Sequence, residues 1–135
     1  IGIKDSSRDF TQLCEYIEKL GKGFTVICGT DALIIPAFFM GAKGAISAIS
    51  NVFPELFVDS YDAYKKRNYE KAIALQYKII AARRVLGKPA IAPLKEALKM
   101  RGFKAGKVKN PLRPMTKEEI IKLRDSLIGL GLIKP

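Results

Sequence analysis

Strand-like and helix-like segments alternate over residues 1–68, and that alternation constrains the fold more than any other feature. Three short apolar or β-branched runs, at 1–4, 24–28 and 44–48, each lead through a polar or small-residue turn into a helical pattern. The second run, Phe24-Thr25-Val26-Ile27-Cys28, is too short and too β-rich for a helix. Strands that alternate with helices pair in parallel, because each helix is the crossover a parallel pair requires. The expected class is therefore α/β.

Local signals set the boundaries. Ser6-x-x-Asp9 reads as the start of the first helix, with Phe10, Leu13, Cys14, Ile17 and Leu20 at helical spacing and Gly21 and Gly23 as its stop. After the second strand come Gly29, Thr30 and Asp31, where Asp31 is a fair N-cap for a short apolar helix at 32–40 that ends at Gly41. The third strand, predicted over 44–48, is built of small residues, which let a ligand or a neighbouring strand approach closely. Asn51 lies in the turn that follows, and Pro54 suits the first turn of a helix running to about Arg67.

From residue 69 the strand signals stop. A long helix is predicted over 69–86 with Ala72, Leu75, Ile79, Ala82 and Leu86 on one side. The break at Gly87, Lys88 and Pro89 ends it, and a further helix follows over 90–101, closed by Gly102. A basic loop with Pro111 and Pro114 leads to a capping box, Thr116-x-x-Glu119, and a last helix with Ile120, Leu123, Leu127 and Leu130 inward. The expected organisation is a β/α part at 1–68 and a three-helix appendix at 69–135.

The balance of 24 basic against 13 acidic side chains, +11 overall, raises nucleic acid as a partner. The basic residues are spread along helices beside acids, as in Glu15/Glu18/Lys19 and Lys117/Glu118/Glu119/Lys122, and no zinc-finger, RRM or KH pattern is present. A solvated lysine-rich surface is the simpler account, with a non-catalytic nucleic-acid-binding domain as the competing one. Without any histidine, Cys–His catalysis and histidine metal sites are excluded within the 135 residues, and no metal site is expected. Two cysteines, Cys14 and Cys28, do not make a disulfide framework. No signal peptide is visible and the apolar runs are too short for a bilayer, so a cytoplasmic protein without a membrane partner is expected.

In parallel β/α folds functional groups collect at the carboxyl ends of the strands. Three such tips are available here: Lys4-Asp5, Gly29-Thr30-Asp31, and Ile46-Ser47 leading to Asn51. A lysine ending an apolar strand is either a turn opener or, if desolvated and neutral, an amine able to attack a carbonyl. Asp31 is likewise either a helix cap or a ligand contact.

The segment Ile1-Gly2-Ile3-Lys4-Asp5-Ser6-Ser7, with Gly29-Thr30-Asp31 and the run from Gly41 to Asn51, resembles the dihydrodipicolinate synthase / N-acetylneuraminate lyase superfamily, pyruvate-handling class I aldolases on a (β/α)8 barrel. The resemblance runs nearly end to end but matches only their carboxyl-terminal half. It implies strands six to eight of a TIM barrel followed by a three-helix appendix. A whole barrel needs about 250 residues, so an amino-terminal half is an expected partner. Lys4 would form a Schiff base with pyruvate, which then condenses with an aldehyde. Ile46 would lie against the imine through its main chain, and Gly29, Thr30, Asp31 and Ser47 would contact substrate. No cofactor is implied, and a homo-oligomer, a tetramer in relatives, is.

Two departures bear on substrate. Synthases usually have Glu-Ala after the lysine, where Asp5-Ser6 stands here, and often two acids where Thr30-Asp31 stands. The expected activity is of the 4-hydroxy-tetrahydrodipicolinate synthase type, with a 2-keto-3-deoxygluconate-type or other sugar-acid aldolase as the alternative. The residues that hold the pyruvate carboxylate, and the catalytic tyrosine, lie in relatives on strands outside these residues.

Overall fold

The computed structural model describes residues 1–87 and 91–135. Strands β1 (Gly2–Asp5), β2 (Thr25–Cys28) and β3 (Gly44–Ala45) form one parallel sheet in the order β1-β2-β3. Helices α1 (Phe10–Leu20) and α2 (Ile34–Met40) are the crossovers, and α3 (Pro54–Lys65) follows β3. Then come α4 (Tyr69–Leu86), α5 (Ile91–Met100) and α6 (Lys117–Gly129). The predicted break at Lys88 and Pro89, and the predicted helix start at Ala90, lie outside the described residues. Among those described, no helix is long and apolar enough to cross a membrane.

Several boundaries differ from the sequence reading, each for a local reason. The N-cap of α1 is Asp9, whose carboxylate accepts the Gln12 N–H at 3.1 Å, rather than Ser6. Arg8 between them has φ 70°, a left-handed conformation that a helix cannot run through. Leu20, the last residue of α1, is exposed. Asp31 opens a 3-10 turn, Asp31–Leu33, but makes no capping bond. β3 ends at Ala45 because the Ile46 N–H gives the ladder its last bond, to the Cys28 carbonyl at 3.0 Å, and the chain then turns. The Ser47 hydroxyl accepts the N–H groups of Ile49 and Ser50 and so nucleates the 3-10 turn Ile49–Asn51. The capping box at Thr116 and Glu119 forms as its spacing predicts.

Two apolar cores share α4. One gathers Leu13, Val26, Cys28, Ile35, Phe38 and Ala63 and takes Ala72 from α4; the other gathers Ile49, Phe53, Leu56 and Leu127 and takes Ile79, Ala82 and Leu86. Phe57 and Leu75 pack against both. Burying one such large side chain contributes about 1.5–3 kcal/mol. Arg101, just past α5, ties the helical region to α3: its guanidinium pairs with Glu55 at 2.8 Å, donates to the Val52 carbonyl and lies 5.3 Å from the Phe53 ring centre.

Candidate active site

The register sets Lys4 beside Ile27 and Ile27 beside Gly44, so the three strands finish level and their tips meet. Asp5 is buried, and its carboxylate accepts the Ser7 N–H at 2.7 Å and the Gln12 amide of α1 at 3.5 Å. Burial pushes the Asp5 carboxyl up, but the hydrogen bonds from Ser7 and Gln12 outweigh it and hold it below the usual carboxylate range. Because Asp5 faces α1, strand alternation turns Lys4 to the opposite side of the sheet.

Gly29 is where Lys4 crosses β2. Its N–H donates to the Asp5 carbonyl at 2.6 Å, and a Cβ built on it would stand 2.7 Å from Lys4 Cε and 2.8 Å from the Asp5 oxygen. A side chain there would crowd both the lysine chain and the Asp5 backbone oxygen. Beyond Gly29, Thr30 is buried and its carbonyl accepts the Cys28 thiol at 3.5 Å. Burial pushes the Cys28 thiol up, so Cys28 braces the turn as a neutral packing group. The tips of β2 and β3 are latched together: buried Ser47 donates its hydroxyl to the Asp31 carboxylate. Ile46 beside it is 52% exposed.

All six residues named from the sequence (Lys4, Gly29, Thr30, Asp31, Ile46 and Ser47) line one cavity of about 520 Å³. A second cleft, of about 620 Å³, lies among α4, α5 and α6, is walled largely by apolar side chains such as Val85 and Leu123, and holds no strand tip. Ile1, Ile3 and Lys4 are exposed, because β1 is a sheet edge and no described residue packs over it.

Three site features escaped the sequence reading. Arg8, in the β1–α1 turn, and Arg83, on α4, line the same cavity. Arg8 holds the left-handed conformation at about 1–2 kcal/mol of strain for a residue with a Cβ. Buried Gln76 reaches from α4 to the Asp31 backbone. Only Gln76 left a signal, as a polar residue among the inward positions Ala72, Ile79 and Ala82 of α4.

The dihydrodipicolinate synthetase family model matches residues 1–128. The chain belongs to that family. Among curated relatives, an uncharacterized DapA-like lyase of Halobacterium salinarum is 37% identical over 133 residues, 98% of this chain and 43% of the relative. The 4-hydroxy-tetrahydrodipicolinate synthase of Methanosphaerula palustris is 34% identical over 131 residues, 94% of this chain and 44% of that protein. A prophage protein of the dihydrodipicolinic acid synthase family from E. coli K12, solved in complex with pyruvate, superposes with a TM-score of 0.87 at 27% identity, over 98% of this chain and 46% of its own. The chain thus spans about half the length of the relatives it matches. Its three parallel strands and following helices are the carboxyl-terminal part of a (β/α)8 barrel.

Proposed function

We propose that this chain carries the imine-forming lysine and the aldehyde-facing wall of a pyruvate-dependent lyase. The observation that carries the reading is Lys4 at the carboxyl end of a parallel strand, laid over Gly29 into the cavity that also holds Asp31, Ser47 and Ile46. The neutral Lys4 amine attacks the ketone carbon of pyruvate, and the carbinolamine loses water to give a protonated imine. That cation draws electrons from the methyl carbon, which releases a proton and becomes an enamine. The enamine carbon bonds to the aldehyde carbon, and water then returns the amine and frees the product. Strands one to five, supplied by an amino-terminal half, would cover Lys4, desolvate it and bring the pyruvate carboxylate site. The family match and the relative solved with pyruvate support this reading.

The finer assignment is to the 4-hydroxy-tetrahydrodipicolinate synthase type, acting in the cytoplasm as a homo-oligomer. A sugar-acid aldolase is the second reading, favoured by one observation: at the β2 tip a threonine stands beside Asp31, so Asp31 is the one acid offered there, and Ser47 engages it.

The test is to incubate the complete enzyme with pyruvate, reduce with borohydride and map the adduct by mass spectrometry. The adduct is expected on Lys4 and is expected to vanish in Lys4→Arg, whose guanidinium stays charged and cannot attack. An adduct on another lysine with Lys4 unmodified would overturn the assignment.

A further inference from the structure

We infer that the cleft among α4, α5 and α6 is a binding site for an amphipathic monocarboxylate, a fatty-acid-like molecule with an apolar body and one anionic end. The cleft lies apart from the strand-tip cavity, and the inference does not depend on the imine chemistry. Its volume of about 620 Å³ falls within the range of about 300–1,000 Å³ that small-molecule sites occupy. The walls are largely apolar, with Val85 from α4, Ile91 and Pro93 from the first turn of α5, Leu112 and Met115 from the loop before α6, and Leu123 from α6. Ile91 is 46% exposed and Leu112 42% exposed, so apolar surface on both α5 and the loop is left to water. An apolar body entering the cleft removes that surface from water, which is favourable roughly in proportion to the area covered.

Charge selects the ligand's polar end. Three cations line the cleft, Arg84, Arg113 and Lys122, against one acid, Glu119. Glu119 is already engaged, because Arg113 donates to both of its oxygens at 2.8 and 2.6 Å. Arg84 on α4 and Lys122 on α6 remain, and neither is paired with a carboxylate among the described residues; residues 88–90 contain no acid. The helix dipole accounts for Arg84, in the last turn of α4, but not for Lys122, in the middle of α6. Glu118 stands four residues before Lys122, the favourable spacing for a helical ion pair, yet the two do not pair, and Lys122 lines the cleft instead. Both cations are exposed, so their heads stay in water while their stems lie along an apolar wall. One carboxylate between a guanidinium and an ammonium balances them, and Ser126 adds a hydroxyl to the same cleft. The last turn of α4 divides the two sites: Arg83 and Leu86 line the strand-tip cavity, whereas Arg84 and Val85 line this cleft.

The experiment measures binding of octanoate, octanol and octylammonium to the complete enzyme by ligand-observed NMR, with saturating pyruvate present to occupy the strand-tip cavity. Octanoate is expected to bind, and the neutral and cationic probes at least tenfold more weakly. Lengthening the acid from hexanoate to octanoate is expected to tighten binding roughly fourfold for each methylene buried. Arg84→Gln and Lys122→Gln, both at exposed positions, are each expected to weaken octanoate about tenfold and to leave octanol unchanged. Ala92→Phe, which places a ring in the cleft, is expected to abolish binding of both, with circular dichroism confirming the fold. Absence of octanoate binding in the wild-type enzyme would overturn the inference, as would equal binding of the three probes. Octanoate binding that neither charge variant alters, or that appears only when pyruvate is left out, would place the acid elsewhere and overturn it too. A smaller assembly for Ala92→Phe by light scattering would assign the cleft to a second copy of the chain, with the same consequence.

Discussion

Gln76, in the middle of α4, donates its side-chain amide to the Asp31 carbonyl at 2.8 Å, across 45 residues of sequence. The same side chain accepts the Ile35 N–H at 2.8 Å, so one buried amide clasps the turn between β2 and α2 at both ends. The helical region therefore grips the backbone of a cavity-lining loop. Gln76→Ala would strand the part-buried Asp31 carbonyl and the buried Ile35 N–H, the latter at about 1–3 kcal/mol. The expected result is a marked loss of stability in urea unfolding. Gln76→Glu keeps the acceptor for Ile35 but buries a charged oxygen against the Asp31 carbonyl, and at neutral pH should recover none of that loss. Equal stability of all three proteins would show that the clasp contributes nothing.

Gly29→Ala tests the crossing of Lys4 over β2. Its new Cβ would fall within 2.7 Å of Lys4 Cε, and would meet the Ser6 hydroxyl as well. Expelling the lysine chain from its path should slow imine formation more than tenfold, about 1.4 kcal/mol of barrier. Timed borohydride trapping with pyruvate reads this directly. Far-ultraviolet circular dichroism checks that the fold survives. An unchanged trapping rate would mean that Lys4 reacts from another path.

The α6 entry supplies an acid-range prediction. Arg113 donates two hydrogen bonds to the Glu119 carboxylate, at 2.8 and 2.6 Å, and the Thr116 N–H donates a third at 2.8 Å. The Arg113 hydrogen bond first, and the Thr116 N–H next, hold the Glu119 carboxyl down at about 2, against 4.5 for a free glutamate. A group depressed in the folded state stabilises fully above its unfolded pKa and loses that contribution as pH falls through the folded one. Stability from Glu119 should therefore be present above pH 4.5 and drain away down to pH 2. Glu119→Gln should flatten the stability–pH curve in that window alone. A change confined to neutral pH would contradict the assignment.

β1 and β3 are edge strands, and Ile1, Ile3 and Ile46 are exposed beside them. Unpaired edges with apolar side chains invite pairing with other strands. The 135-residue chain by itself is expected to self-associate and to lack pyruvate-dependent turnover, and an amino-terminal barrel half should restore both solubility and activity. Light scattering with and without that half reads the first, and an aldol assay the second. A monodisperse, active monomer of this chain would refute the expectation.

Much of the fold was readable because its signals are local. The spacing of Phe10, Leu13 and Ile17, the Thr116 and Glu119 capping box and the β-branched run at 24–28 each act within a few residues. The strand-tip rule brought the six site residues together for the same reason: in a parallel sheet every crossover returns the chain to the same end. Ser6 could not be told from Asp9 as the α1 cap, because the left-handed backbone at Arg8 has no marker when the residue is not glycine. The third strand was read three residues too long because small residues suit both a strand and the turn that Ser47 builds.

By itself, then, the sequence determined the β/α order, the parallel sheet, the helix caps near the carboxyl end and the presence of Lys4, Asp31 and Ser47 at strand ends. Tertiary structure alone decided what meets them. α4 docks through Ala72, Ile79 and Ala82, and that docking carries Gln76 to the Asp31 carbonyl and Arg83 to the cavity of Lys4. The pairings across 45 residues and more depend on the angle at which one packed helix meets a sheet. Helix angles are set by the volumes of many interlocking side chains at once, and no short stretch of sequence records them.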